Sequence, residues 1–430
     1  MKPYLNFLAI GLAAGLFHSP VDASADMFYD GDTTLSAHTL VNAVLERNAG
    51  LAAMRAAVDE ANARIDPAGS FSDPMLTLGV APNTIGNNAL GTRGQIYISQ
   101  ALPWRGILRA RENEARAEAN AVSQDEESLR LMLRAMALSQ FAEWVLVHQA
   151  LDINAEHQAV LSELRNVAEA RYAAGRAPQQ DALQAEVERV RLKQQALELE
   201  RRRIATQAQV NALLNRAPGS FIPPPELLPT SNFLPELNAL IEQAQRSHPE
   251  LARAEFQQRA AESRLYAEEK LRFPQFQVNA GYNGVLDPVA KRAILGVSIN
   301  VPLNQSKRRA AINAARAKVR RTEWLVTDRR ATLLAELSTD YAAVIESGQS
   351  LLLLENELLP LAKETLAVSR ADYAAGRGDF LNVVTAERNL LDTELGLVRT
   401  QADHLVRLAI LERSSGVTVI DLAGFPEVRQ

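Results

Sequence analysis

"ARYAAGRAPQQDALQAE" at 170–186 and "ADYAAGRGDFLNVVTAE" at 371–387 share the run YAAGR, and their tyrosines, Tyr172 and Tyr373, lie 201 positions apart in a chain of 430 residues. A glycine after a helix-forming stretch can adopt the left-handed conformation that ends a helix. In the first stretch Pro178 then suits the first turn of a following helix. In the second, Asp379 suits the N-cap. Each stretch therefore predicts the turn of a helical hairpin, and the question is how far the duplication extends.

It extends along most of the chain. "QALPWRGILRAREN" (100–113) matches "NVPLNQSKRRAAIN" (300–313), with Pro103 on Pro302. "DPMLTLGV" (73–80) matches "FPQFQVNAGY" (273–282), and Leu51 falls on Leu251. The constant offset near 200 predicts two copies of one unit, which is too long a period for a solenoid. Each unit reads helix, strand, strand, long helix, tip, helix. The first repeat is expected over 26–216, with strands near 74–82 and 93–102, a long helix near 105–174 and a returning helix near 178–216. The second is expected over 235–415, with strands near 274–283 and 293–302, a long helix near 306–375 containing Pro360, and a returning helix near 379–413. The proline-rich 217–234 reads as the link between repeats, and 416–430 as a C-terminal tail.

A helix of about 70 residues is on the order of 105 Å long, far beyond a globular helix, and implies coiled-coil packing. Leu183, Val190, Leu197 and Ile204 recur every seven residues, as do Val384, Leu391, Val398 and Leu405. A seven-residue apolar spacing predicts a seam against a partner helix.

The four strand segments alternate apolar and polar residues over about 9 or 10 positions, the length of a tilted membrane-spanning strand. A soluble sheet capping a coiled coil would show the same alternation. In a membrane, four strands would leave two open edges that lipid cannot satisfy. Such a sheet must meet copies of itself, eight strands as a dimer or twelve as a trimer, and periodicity does not choose between them.

Lys2, the apolar run Leu5–Phe17 and Ala23-Ser24-Ala25 form a secretory signal with cleavage expected after Ala25. No cysteine is present, which excludes disulfides and thiolate metal sites. The net charge of −5, with Lys and Arg interspersed among Glu and Asp, points away from nucleic acid. The six histidines form no metal-helix spacing, and His148 and His157 read as solvated helix surface. Met132 and Met136 read as core packing. No nucleophile–base pair or carboxylate cluster supports an enzyme, and no cofactor or metal site is expected.

Two copies of helix, strand pair, long helix and Y-x-x-G tip resemble the TolC family of outer-membrane efflux proteins. The stretch "LLPLAKETLAVSRADYAAGRGDFLNVVTAERNLLDTEL" (358–395) is similar to that family's second tip and returning helix, and "HPEL" (248–251), "FPQFQVNAGY" and "SQALPWRG" (99–106) are further family-like segments. The resemblance implies a homotrimer in the outer membrane of a Gram-negative bacterium. Each protomer would add four strands to one twelve-stranded barrel in outer-membrane lipid, above an α-helical periplasmic tunnel. It implies a passive exit duct for small molecules or metal ions. Its partners would be a periplasmic adaptor (a membrane fusion protein) and an inner-membrane pump of the RND or ABC type. A type I protein secretion component is the alternative, and a periplasmic coiled-coil adaptor or scaffold a further one. Tyr172, Gly175, Arg176, Tyr373, Gly376 and Arg377 match the adaptor-docking tips. The resemblance also implies a gate near Asp181, Tyr373, Arg377, Asp379 and Asn382, with Asp181–Tyr373–Arg377 as a latch. The family's acidic rings align here with the uncharged Asn382 and Thr385.

Overall fold

The computed structural model describes residues 34–82, 85, 93–228, 234–286 and 289–420. The expected signal segment 1–25, part of the link and the end of the tail lie outside the described residues. The first repeat begins with α1 (Ala37–Arg47), α2 (Ala49–Ala63) and α3 (Ile65–Gly69). It continues through β1 (Met75–Val80), β2 (Gly94–Leu102), α4 (Ile107–Ala173) and α5 (Gln179–Leu213). The second holds α6 (Leu237–Ser247), α7 (Pro249–Lys270), β3 (Gln275–Asn283) and β4 (Ala293–Asn300), then α8 (Gln305–Leu353), α9 (Leu359–Ala374) and α10 (Phe380–Ser415).

The helix ahead of each strand pair is divided by a residue that caps the next one. In the first repeat, the Asn48 side chain accepts from Leu51 N at 3.1 Å. In the second, His248 stands in the same place, accepts from Glu250 N at 3.3 Å and is followed by Pro249 at the start of α7. The long helix expected over 306–375 also departs from one uniform helix. A single π-turn, Leu354–Leu358, joins α8 to α9 just before Pro360. Proline offers no N–H and its ring crowds the carbonyl four residues back, so the ladder widens there without stopping.

The unbroken α4 packs against two shorter helices. Arg202 reaches Glu143 at 2.7 Å to join α5 to its tip half. Arg253–Asp125 at 2.8 Å and Arg264–Glu114 at 3.3 Å join α7 to the other half. The largest core lies near the middle of the rod, where Phe141, Trp144 and Val145 of α4 meet Leu40 and Val44 of α1 and Leu408 and Leu411 of α10. The link packs beside it: Trp144 Nε1 donates to Pro223 O at 3.0 Å, and Leu35 pairs with Pro225.

All four strands are antiparallel neighbours in the order β1-β2-β3-β4, so β1 and β4 are open edges. Their register places most apolar side chains on one face, which also carries Gln100, and leaves Met75 and Ile294 on the other. Leu76 pairs with Ile98, Leu102 with Phe276, Val278 with Val297 and Phe276 with Ile299. The opposite face carries Thr77, Tyr97, Ser99, Gln277, Asn279 and Ser298. The apolar face is bare: Leu78 is 70 % exposed and Leu295 82 %. No described helix is long and apolar enough to cross a membrane.

The two heptad seams part company. Val384, Leu391, Val398 and Leu405 are buried along α10. Their counterparts Leu183, Val190, Leu197 and Ile204 are exposed. The seam that α5 turns toward its own hairpin lies two residues further on, at Ala185, Leu192, Leu199 and Thr206. Helix α5 therefore carries two stripes, and the more apolar one, which the seven-residue spacing marks, finds no partner helix among the described residues of this chain. Met132 and Met136 are likewise exposed rather than core residues.

Candidate functional site

Both YAAGR turns reverse the chain by the same device. Gly175 and Gly376 sit at φ +71° and +75°, where a Cβ would be strained. Arg176 N donates to Arg171 O at 2.8 Å and Arg377 N to Asp372 O at 3.0 Å, a six-to-one bond that closes each helix end. Helix α5 begins after Pro178, which precedes the first turn rather than lying within it. Asp379 holds the N-cap position of α10, yet its side chain makes no capping bond; its carbonyl accepts from Asn382 N at 3.1 Å instead.

The two tips are nevertheless unlike. Tyr172 is 49 % exposed, whereas Tyr373 is 6 % exposed. Tyr373 turns inward because the first hairpin offers it two partners, Asp181 and Arg171, and its own hairpin a third, Phe380. Its hydroxyl donates to Asp181 Oδ2 at 3.1 Å, and Asp181 is itself buried in the first turn of α5. A carboxylate there is favoured by the positive end of the helix dipole. The Arg171 guanidinium lies 4.4 Å from the Tyr373 ring centre and donates to the Tyr373 carbonyl. Phe380 closes the far side edge-on, with ring centres 5.2 Å apart. Burial, then the bond to Asp181 and its charge, push the Tyr373 phenol up to about 12, so it remains a donor at any physiological pH.

The sequence placed Arg377 in this group, and the structure does not. Arg377 points outward and pairs with Asp372 at 3.1 Å. Arg171 occupies the place beside Tyr373. The difference was visible in the two quoted stretches, where Arg171 and Asp372 precede the matching tyrosines. Gly175, Arg176, Asp379, Asn382 and Thr385 are exposed, as are Gly376 and Arg377. A groove of about 240 Å³ runs between Leu164 and Val167 of α4 and Arg370, Ala374 and Val383 of the second hairpin.

Further from the tips, a second set of contacts ties the hairpins together. His157 is 4 % exposed, not solvated. Its Nδ1 lies 2.8 Å from Glu387 Oε1 and its Nε2 2.9 Å from Glu394 Oε2. Arg370 donates to Glu387 Oε2 at 3.0 Å. The hydrogen bonds to both carboxylates outweigh the burial that opposes charge, and the His157 pKa is raised above its ordinary value. Between these levels, Arg388 of α10 forks onto Glu188 of α5, with Nε at 2.6 Å.

The outer membrane efflux protein family model matches residues 240–417. A comparison of the sequence with curated proteins finds no match. Solved structures match along nearly the full length. The outer-membrane channel OprN superposes with a TM-score of 0.77 at 17 % identity, covering 92 % of each chain. The outer membrane protein VceC of Vibrio cholerae gives 0.75 at 17 % identity, covering 89 % of this chain and 96 % of that one. The CmeC outer membrane channel of Campylobacter jejuni gives 0.75 at 12 % identity, covering 98 % and 96 %. Residues 240–417 thus match the outer membrane efflux protein family model, and the fold of the whole chain is shared with these outer-membrane channels.

Proposed function

We propose that three copies of this chain form the outer-membrane exit duct of a tripartite efflux pump. Three four-strand sheets close into one twelve-stranded barrel, and the helical hairpins form a periplasmic tunnel beneath it. The observation that carries this reading is the sheet. It has one predominantly apolar face, one predominantly polar face and two edges unpaired among the described residues. In lipid an open edge costs several kcal/mol for each unsatisfied group, and only closure with further strands removes it. The polar face would then line a water-filled lumen.

The α5 stripe supports the same assembly. Leu183, Val190, Leu197 and Ile204 face outward on one protomer. Leu352, Leu361 and Val368 face outward on the second hairpin. Two different apolar surfaces on one chain suit head-to-tail contacts that close into a ring.

Export through such a duct is passive, and energy comes from an inner-membrane partner of the RND or ABC class. The YAAGR tips dock a periplasmic adaptor. Tyr172, Arg176 and Arg377 supply exposed side chains there, and Gly175 and Gly376 fix the turns. Asp181 and Tyr373 hold the second hairpin against the first, so their separation widens the mouth. Asp379 and Asn382 lie on the exposed side of that joint. The cargo is small molecules or metal ions, and the chain reaches the outer membrane after loss of residues 1–25.

Electrophoresis of detergent-extracted outer membranes tests the assembly. An unheated band of about three protomers that collapses to one on boiling is expected. A monomer recovered in the soluble periplasmic fraction contradicts the reading.

A further inference from the structure

The Asp181–Tyr373 contact is indifferent to pH over the physiological range, because its phenol titrates near 12. The second joint between the hairpins is different in kind. His157 lies on α4, about 24 Å from the first tip at 1.5 Å per residue. Each of its ring nitrogens faces a carboxylate oxygen of α10, at 2.8 Å for Glu387 and 2.9 Å for Glu394. A carboxylate can only accept. With Glu387 and Glu394 ionised, both nitrogens carry protons, and the ring is an imidazolium. A neutral imidazole would turn a lone pair toward one of the two carboxylates at the same short distance.

The surroundings favour that charge without supplanting it. From α9, Arg370 holds the other oxygen of Glu387 at 3.0 Å, and Lys363 lies 3.8 Å from Glu394 Oε1. Toward α5, Asn154 of α4 donates to Leu192 O at 3.1 Å. The nearest α5 carboxylate in these contacts, Glu188, is engaged by Arg388 and Arg191. On α4 itself Asp152, Glu156 and Glu163 are exposed, and on α10 Asp392 is exposed. Imidazole is the side chain whose ordinary pKa lies between acid and mildly alkaline conditions.

We propose that His157 is a proton-operated clasp between the two hairpins. As the imidazolium it ties α4 to α10 through both N–H groups. Loss of one proton to water releases one of the two carboxylates and lets the second hairpin swing from the first. Spacing along α10 makes this effective, since Glu387 and Glu394 lie seven residues apart and meet α4 on one face. The clasp rests on contacts within one chain. Only its consequence, easier opening in alkaline medium, rests on the channel reading above.

The chain has no cysteine, so labels can be placed cleanly. Spin labels at Gln179→Cys and Ala375→Cys, both exposed, report the separation of the tips in the full-length detergent-solubilised protein. Labelled protomers are diluted into unlabelled ones. The distance distribution is expected to be narrow at pH 5.5 and to broaden with a one-proton midpoint above the ordinary histidine value of about 6.5. His157→Gln is expected to abolish the titration. Glu394→Gln removes one carboxylate at constant size, and its midpoint is expected to fall, which separates the clasp from a packing defect at His157. A wild-type distribution that does not change from pH 5.5 to 9 overturns the clasp, as does an unshifted midpoint in Glu394→Gln. Titrating distances in a protein that conducts at no pH would leave the clasp standing and count against the channel.

Discussion

Replacing Tyr373 by Phe removes one oxygen and leaves the ring in place. The Arg171 guanidinium keeps its position over the ring and its bond to the backbone carbonyl, and the Phe380 edge contact survives. What is lost is the 3.1 Å bond to Asp181, whose carboxylate is 7 % exposed. A hydrogen bond to a charged group contributes about 1.5–3 kcal/mol. At 1.4 kcal/mol per decade, the equilibrium between joined and parted hairpins should shift roughly ten- to a hundredfold toward the parted state. Amide hydrogen exchange in Ala371–Ala374 and Phe380–Val383 reads that shift directly, and tracer leak through the reconstituted protein reads its consequence. Exchange rates within about twofold of wild type would refute the argument, because that hydroxyl has no other hydrogen bond among the described residues to compensate. Arg171→Ala extends the test. It removes a cation–π contact, worth about 0.5–2 kcal/mol, together with the carbonyl bond. It should exceed the effect of Arg377→Ala, whose exposed ion pair with Asp372 contributes about 0–1 kcal/mol.

Three further outcomes follow from the same structure. His248 accepts from Glu250 N through Nδ1 and donates to Arg413 O through Nε2, an arrangement only the neutral ring can make. Burial lowers its pKa, so its contribution is present above about pH 6.5 and is lost as pH falls from the unfolded-state value through the folded one. Thermal melts of His248→Asn, which copies Asn48 of the first repeat, should lose that acid sensitivity. Phe380→Ala should destabilise the second tip by about 3–5 kcal/mol, since Phe380 is 1 % exposed, and local exchange protection would report it. Leu197→Glu places a charge on the unpartnered α5 stripe, where Leu197 is 74 % exposed. It should leave the monomer fold intact by circular dichroism while abolishing the heat-sensitive oligomer; an unchanged oligomer would remove that stripe from the interface.

The strand pairs were legible because they are carried by local pattern, as is the offset on which the two-repeat reading rests. A constant offset needs no tertiary knowledge, and alternation in β1–β4 fixes which side chains share a face. The α5 seam was misread because a seven-residue repeat can run along more than one stripe of a helix. Leu183, Val190, Leu197 and Ile204 are the more apolar set and look like core, but the chain folds on Ala185, Leu192 and Leu199. Which stripe meets which partner is decided between helices, and a single sequence does not hold that information. His157 was read as surface for a related reason: its partner Glu387 is 230 residues away. Arg171 was overlooked although the signal was available. Where two repeats are otherwise alike, an Arg–Asp difference beside matched tyrosines marks the point at which one copy bonds to the other.

The duct proposed for this chain would be water-filled and would cross the outer membrane. Planar-bilayer recording of the purified full-length protein tests it most directly. Discrete, uniform conductance steps are predicted, with leak current raised by Tyr373→Phe and Arg171→Ala. A protein that binds no bilayer, or one that inserts but never conducts even with both substitutions present, would contradict the account.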